Sequence, residues 1–152
     1  MYIPAHFSIE ELVPPLVYEQ RGERAWQLLD DRLLMTIDAM RDRFGAMVIN
    51  TWHSKKLQKY FGYRQYSGLR TVGFYMDVYG DDRGYEKYFN SYSQHKYGRA
   101  FDALFAQYEA EEVRRIVREE QGRFPYLRAM ENNVSWFHGD IRNVKPLMEF
   151  TP

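Results

Sequence analysis

The stretch Ser93-Gln94-His95-Lys96-Tyr97-Gly98-Arg99-Ala100-Phe101-Asp102 decides how this chain is read. It sets a histidine and an aspartate on either side of a glycine, and a short apolar run opens just after that glycine. If Arg99 to Phe105 is extended, Ala100, Asp102 and Leu104 share one face and Arg99, Phe101 and Ala103 the other, because successive strand side chains alternate. Asp102 then points among small and apolar neighbours. A carboxylate placed there requires a cation or hydrogen bonds, since burying it bare costs more than a fold can spare. The reading that satisfies it is a zinc site completed by His138 in Trp136-Phe137-His138-Gly139-Asp140. Two imidazoles and one carboxylate leave the fourth position to water, which is the arrangement of a catalytic rather than a structural zinc. Gly98 allows a tight turn between the first two ligands, and Asp140 can orient a ligand imidazole through its second nitrogen.

Working outward, Glu109 to Gln121 reads as a helix, with an acidic first turn and an apolar stripe of Val113, Ile116 and Val117. Tyr126 to Glu131 and Val134 to Ile141 read as a hairpin joined by a two-residue Asn132-Asn133 turn. Upstream, Ser8-Ile9-Glu10-Glu11 is a capping box that predicts a short helix, stopped by Pro14-Pro15. Trp26, Leu29, Leu33, Ile37, Met40 and Phe44 are spaced by three and four, which predicts one long amphipathic helix from about Glu23 to Phe44. Gly45 ends it, and Ala46 to Trp52 reads as a buried strand. From His53 to Tyr92 the chain is rich in Gly, Tyr and charge with little periodicity, so it reads as a long loop, the kind of segment that persists only where it serves function. Its many aromatics are expected mainly to pack the loop itself. The element order predicts an α+β fold: a mostly antiparallel sheet carries the zinc and helices pack on its other face.

Composition narrows the function. With 152 residues the chain is expected to form a single domain over its whole length, large enough to bury one core without staples. The absence of cysteine excludes disulfides, thiolate metal sites and cysteine nucleophiles. Lys plus Arg and Asp plus Glu balance at 21 each without long like-charge blocks, so no nucleic-acid partner is expected. No run is long and apolar enough for membrane insertion, and Met1 to His6 shows no signal peptide, so synthesis in the cytoplasm is expected. His6 and His53 have no partner pattern and are left unassigned.

The pattern Ser-x-His-x-x-Gly-x-Ala-x-Asp followed by Trp-x-His-x-Asp resembles the zinc D-alanyl-D-alanine peptidases. That family includes bacterial carboxypeptidases and many phage endolysins, and shares its fold with the hedgehog signalling domain. Weaker similarity runs through Phe7 to Leu12, the helix before Asn50, and Ser67-Gly68-Leu69-Arg70. The short single-domain variant found in phage genomes is the nearest likeness.

The resemblance implies Zn2+ held by His95, Asp102 and His138, with Ser93 and Asp140 as outer partners of the ligands. It implies a peptidase cutting peptidoglycan stem peptides, as carboxypeptidase or endopeptidase, with zinc-bound water as nucleophile. It places Arg70 where the family arginine stabilises an oxyanion or binds a substrate carboxylate. One departure matters: relatives carry an acid three positions before the second histidine, and here that position is Ser135. The expected substitute for proton transfer is Glu131, across the predicted hairpin turn from His138. The protein is then expected to reach the wall after release or as part of a virion. The alternative is a non-catalytic module of the same fold, stabilised by zinc and partnered with other virion proteins.

Overall fold

The computed structural model describes residues 1–152, and its longest strand, β2 (Ala100–Phe105), forms where the sequence places it. The remaining strands are β1 (Met47–Val48), β3 (Ala129–Glu131), β4 (Phe137–Asp140) and β5 (Met148–Phe150), arranged in the order β1-β2-β4-β3-β5. β1 with β2, β2 with β4 and β3 with β4 pair antiparallel, whereas β5 lies parallel to β3. The sheet is therefore mixed, and the expectation of a mostly antiparallel sheet is corrected. The cause is β5, three residues too short to show alternation, which the chain delivers beyond β3 after leaving β4. Its place is held by Met148 N–H donating to the Arg128 carbonyl at 2.8 Å and Asn132 N–H donating to the Phe150 carbonyl at 2.7 Å.

Strand alternation divides the sheet into two chemical faces. Phe101, Ala103, Met130 and Phe137 join a buried apolar cluster with Leu33, Ile37, Met40 and Phe44 of α2 (Asp31–Phe44) and Val113, Ile116 and Val117 of α6 (Ala110–Glu119). Each of these side chains other than Ala103 contributes about 1.5–3 kcal/mol on full burial. On the other face Asp102, His138 and Glu131 fall in one cross-strand row, because Asp102 and Glu131 are both register partners of His138.

Several boundaries differ from expectation, each for a local reason. The long helix begins at Asp31, not Glu23. Gly22–Leu28 is a 3-10 segment, and Asp30 interrupts by giving its N–H to the Gly98 carbonyl at 3.0 Å while its side chain caps Arg32 N–H at 3.0 Å. Apolar spacing of three fits a 3-10 turn as well as an α-helix, so periodicity did not reveal the break. The capping box forms but opens only a single 3-10 turn, Ile9–Glu11, and Pro15 then begins α1 (Pro15–Arg21) as a first-turn proline. Of the strand predicted over Ala46 to Trp52, only Met47–Val48 pairs with β2; Asn50 and Thr51 donate their N–H groups to Glu11 and Arg64 carbonyls instead.

The segment from His53 to Tyr92 is no long loop. It holds α3 (Lys55–Phe61), α4 (Val72–Tyr79) and α5 (Asp81–Asn90). Ser54 caps α3 by accepting from Leu57 N–H at 3.3 Å, and Gly80 at φ 80° joins α4 to α5. Tyr75 is buried with Phe74 and Tyr88 edge-on against it at 5.1 and 5.5 Å. These helices are two or three turns long, and rings occupy both their packed and exposed faces, which erased the periodic signal. No helix in the protein is long and apolar enough to cross a membrane.

Candidate metal centre

The 3-10 turn Gln94–Tyr97 presents His95, and Gly98 follows in the left-handed region at φ 63°. A Cβ at Gly98 would sit 2.1 Å from the Leu28 carbonyl oxygen, so only glycine allows the chain to pass there and enter β2. β2 then supplies Asp102 and β4 supplies His138, directly opposite. All three side chains are buried, and one ligand atom from each lies within 4.8 Å of the others.

The donor geometry fits a tetrahedral ion. His95 Nε2 is 3.3 Å from both Asp102 Oδ1 and His138 Nδ1, and His138 Nδ1 is 2.8 Å from Asp102 Oδ1. Metal–ligand bonds of about 2.0–2.1 Å in a tetrahedron set donor atoms about 3.3 Å apart, so two edges match and one is slightly closed. The second nitrogens are committed elsewhere. His95 Nδ1 lies 2.7 Å from the Gly68 carbonyl, to which it can only donate, and His138 Nε2 lies 3.3 Å from Asp140 Oδ2. These outer contacts leave Nε2 of His95 and Nδ1 of His138 with lone pairs turned to the common centre. Asp140 is fully buried and held in turn by Arg142 Nε at 2.8 Å from Oδ1.

Electrostatics show where charge resides without a metal. Burial alone would raise the Asp102 carboxyl, but the charges and hydrogen bonds of His95 and His138 hold it far below the usual carboxylate range. Burial likewise pulls both imidazoles down. For His95 that effect wins, whereas at His138 the hydrogen bonds and charges of Asp102 and Asp140 override it and raise the imidazole to about 9.

The segment Ser67-Gly68-Leu69-Arg70 runs along the edge of this cluster as a cradle. Asp102 N–H donates to the Ser67 carbonyl at 2.7 Å, Gly68 receives His95 Nδ1, and Arg70 N–H donates to the His95 carbonyl at 3.1 Å. A Cβ at Gly68 would meet the Leu12 carbonyl oxygen at 2.2 Å, which explains the glycine. Arg70 directs Nη2 to Asp102 Oδ2 at 2.6 Å and Nε to the Tyr66 carbonyl at 2.8 Å, with its guanidinium 4.6 Å above the Phe74 ring. Its Nη1 remains free for a ligand.

The cluster forms part of the wall of a cavity of about 330 Å³, bordered by Arg70, Ser93, Glu131, Trp136, Arg142 and Phe150. The Glu131 carbonyl accepts from Arg114 Nε at 2.8 Å, while its carboxylate makes no hydrogen bond or ion pair within the protein. Ser135 is exposed and borders a different cavity with Ala103 and Tyr108. Ser93 accepts from Lys96 N–H through its carbonyl and borders the same cavity as Glu131, with no hydrogen bond to either His95 or His138. His6 pairs with Asp42 at 2.7 Å and His53 stands against Trp52; neither approaches the centre.

Three contributors were given no role from the sequence, although Trp136 belongs to the second motif. Trp136 Nε1 is buried beside the cavity without an acceptor in the protein. Phe150, on the strand the sequence did not reveal, stands edge-on to His138 at 5.7 Å. Arg114, on α6, is 2% exposed and donates to the carbonyls of Glu131, Val134 and Trp136 at 2.8, 2.8 and 2.6 Å. It fixes the β3–β4 connection, which is Asn132 to Trp136 rather than a two-residue turn, with Asn133 at φ 61°. An arginine among Ala110, Val113 and Val117 on one helix face was the available signal.

Comparison of the chain with family models, with characterised proteins and with solved structures returned no match.

Proposed function

We propose that this protein is a zinc-dependent peptidase that hydrolyses a peptide bond in peptidoglycan stem peptides, of the D-alanyl-D-alanine peptidase and endolysin kind. The observation that carries the reading is the pairing of three buried donors at tetrahedral spacing with an uncommitted carboxylate, Glu131, in one open cavity. A purely structural site has no need of an open cavity or a free acid. His95, Asp102 and His138 would hold the ion; zinc supplies Lewis-acid polarisation of the scissile carbonyl and acidifies water to near neutral pH.

The chain's own residues perform the rest. Glu131 accepts the proton of the attacking water and returns it to the leaving nitrogen. Trp136 Nε1 donates to a substrate acceptor, replacing the partner it lacks. Arg70 keeps Asp102 in place through Nη2 and offers Nη1 to a substrate oxygen. The enzyme acts on wall after release or as part of a virion.

Muropeptide analysis of purified wall incubated with the protein tests the reading. Release of peptide fragments that stops on chelation and returns with zinc is expected. Zinc-loaded, folded protein inert on walls of several chemotypes would replace it with the non-catalytic, zinc-stabilised module.

A further inference from the structure

Arg142 belongs to two cavities. Besides the metal cavity it borders a second one of about 350 Å³, whose wall also carries Arg32, Arg128, Lys145 and Tyr126 and no carboxylate. Arg32 and Arg142 each turn Nε and Nη2 to their own aspartate, Asp30 and Asp140, which leaves their Nη1 groups free. Arg128 makes one side-chain hydrogen bond, to the Leu127 carbonyl at 3.3 Å, and Lys145 makes none. A chain with zero formal net charge thus gathers four cations around one cavity and leaves two without a counter-charge. Like charges at this proximity repel, so the arrangement serves folding poorly and an anionic ligand well. Arg128 and Lys145 also rim a third, neighbouring cavity of about 180 Å³ bordered by Val117, Phe124, Leu127 and Leu147.

We propose that the Arg32–Arg128–Arg142–Lys145 cavity is an exosite for the carboxylates of an acidic peptide whose neighbouring part lies in the metal cavity. The assignment rests on the peptidase reading for what happens at the metal. Guanidinium forks suit carboxylates and phosphates alike. The peptide is favoured because the cationic cavity shares Arg142 with the metal cavity and Arg128 and Lys145 with the apolar one. A peptide of mixed side chains has a use for all three, whereas a phosphate polymer has no use for the apolar cavity. Arg142 links the exosite to the metal centre: it holds Asp140, which orients His138, and its free Nη1 serves the ligand.

Calorimetric titration of the zinc-loaded full chain at low salt tests the exosite without requiring catalysis. The probes are a tri-glutamate peptide, its tri-glutamine counterpart and inorganic triphosphate. Tri-glutamate is expected to bind, tri-glutamine to fail, and the Arg128→Ala, Lys145→Ala double variant to bind at least tenfold more weakly with unchanged melting temperature. If the double variant folds poorly, Lys145→Glu at an exposed position provides the same readout by repulsion. Double-variant binding equal to wild type overturns the exosite, and so does triphosphate binding without tri-glutamate binding, which assigns the cavity to a phosphate polymer. Binding without any hydrolysis of wall removes the peptidase reading and leaves the exosite; hydrolysis without binding does the reverse.

Discussion

Glu131 stands opposite His138 across the β3–β4 ladder, on the same face of the sheet, with Asp102 on His138's other side. Directly paired strand residues have their Cβ atoms about 4.5–5.5 Å apart, which puts the Glu131 carboxylate within reach of a group bound at His138. Glu131→Gln should keep the fold and the metal, since the carboxylate has no protein partner to lose. Turnover should fall by about two or more orders of magnitude, the scale of a lost general acid or base. Retained turnover would assign proton transfer to another group.

One zinc per chain is expected after purification without added metal. A His95→Ala, His138→Ala double variant removes two of three donors whose outer partners, Gly68 and Asp140, cannot replace them. Elemental analysis should find that variant metal-free, and stoichiometric zinc in it would sink the ligand assignment.

Arg114→Ala leaves the carbonyls of Glu131, Val134 and Trp136 without their buried donor. Unsatisfied buried groups cost about 1–3 kcal/mol each before relaxation, so a loss of about 3 kcal/mol in urea unfolding is expected, together with reduced turnover as Glu131 and Trp136 drift. A loss below about 1 kcal/mol would show that water takes over the arginine's role.

The candidate metal centre was legible because its residues sit in two short, chemically unusual stretches. An aspartate on a short apolar strand and a histidine directly after two aromatics each demand explanation without reference to distant contacts. Alternation put Glu131 on the same face as His138, but the predicted two-residue turn would have paired it with Val134; the longer Asn132 to Trp136 connection sets it directly opposite His138. What stayed hidden depends on contacts that have no local period. Asp30 breaks a helix because of the Gly98 carbonyl, far away in sequence. Met148 to Phe150 becomes a strand because β3 offers an open edge. The aromatic helices between Lys55 and Asn90 owe their form to packing between neighbours rather than to an amphipathic stripe.

Asp30 gives a pH signature away from the His95–Asp102–His138 cluster. Its hydrogen bonds with Arg32, aided by the charge of Arg99, hold its carboxyl below the ordinary 3.8 despite partial burial. A depressed folded-state value contributes stability that is present above the unfolded value and lost as pH falls through the folded one. Asp30→Asn keeps a capping side chain but removes the charge, so it should destabilise the protein near neutral pH. The difference from wild type should shrink below about pH 4 and vanish at lower pH. A difference that stays constant from neutral to strongly acid conditions would mean that the carboxylate charge plays no part.

Trp136→Phe separates a working residue from a packing one, because it should move turnover while leaving stability nearly unchanged. The indole Nε1 is buried with no acceptor, a state that costs a folded protein about 1–3 kcal/mol. Phenylalanine removes that unsatisfied donor and some ring volume, so the net change in stability should be small, within about 1 kcal/mol of wild type. If the indole N–H waits for a substrate oxygen, turnover should drop by about tenfold or more, the loss of one hydrogen bond to a charged or polarised acceptor. Zinc content should not change, because Trp136 touches the centre only through the cavity wall it shares with His95 and His138. Equal turnover in the variant and the wild type would make Trp136 a wall residue and return the task of holding the substrate oxygen to Arg70.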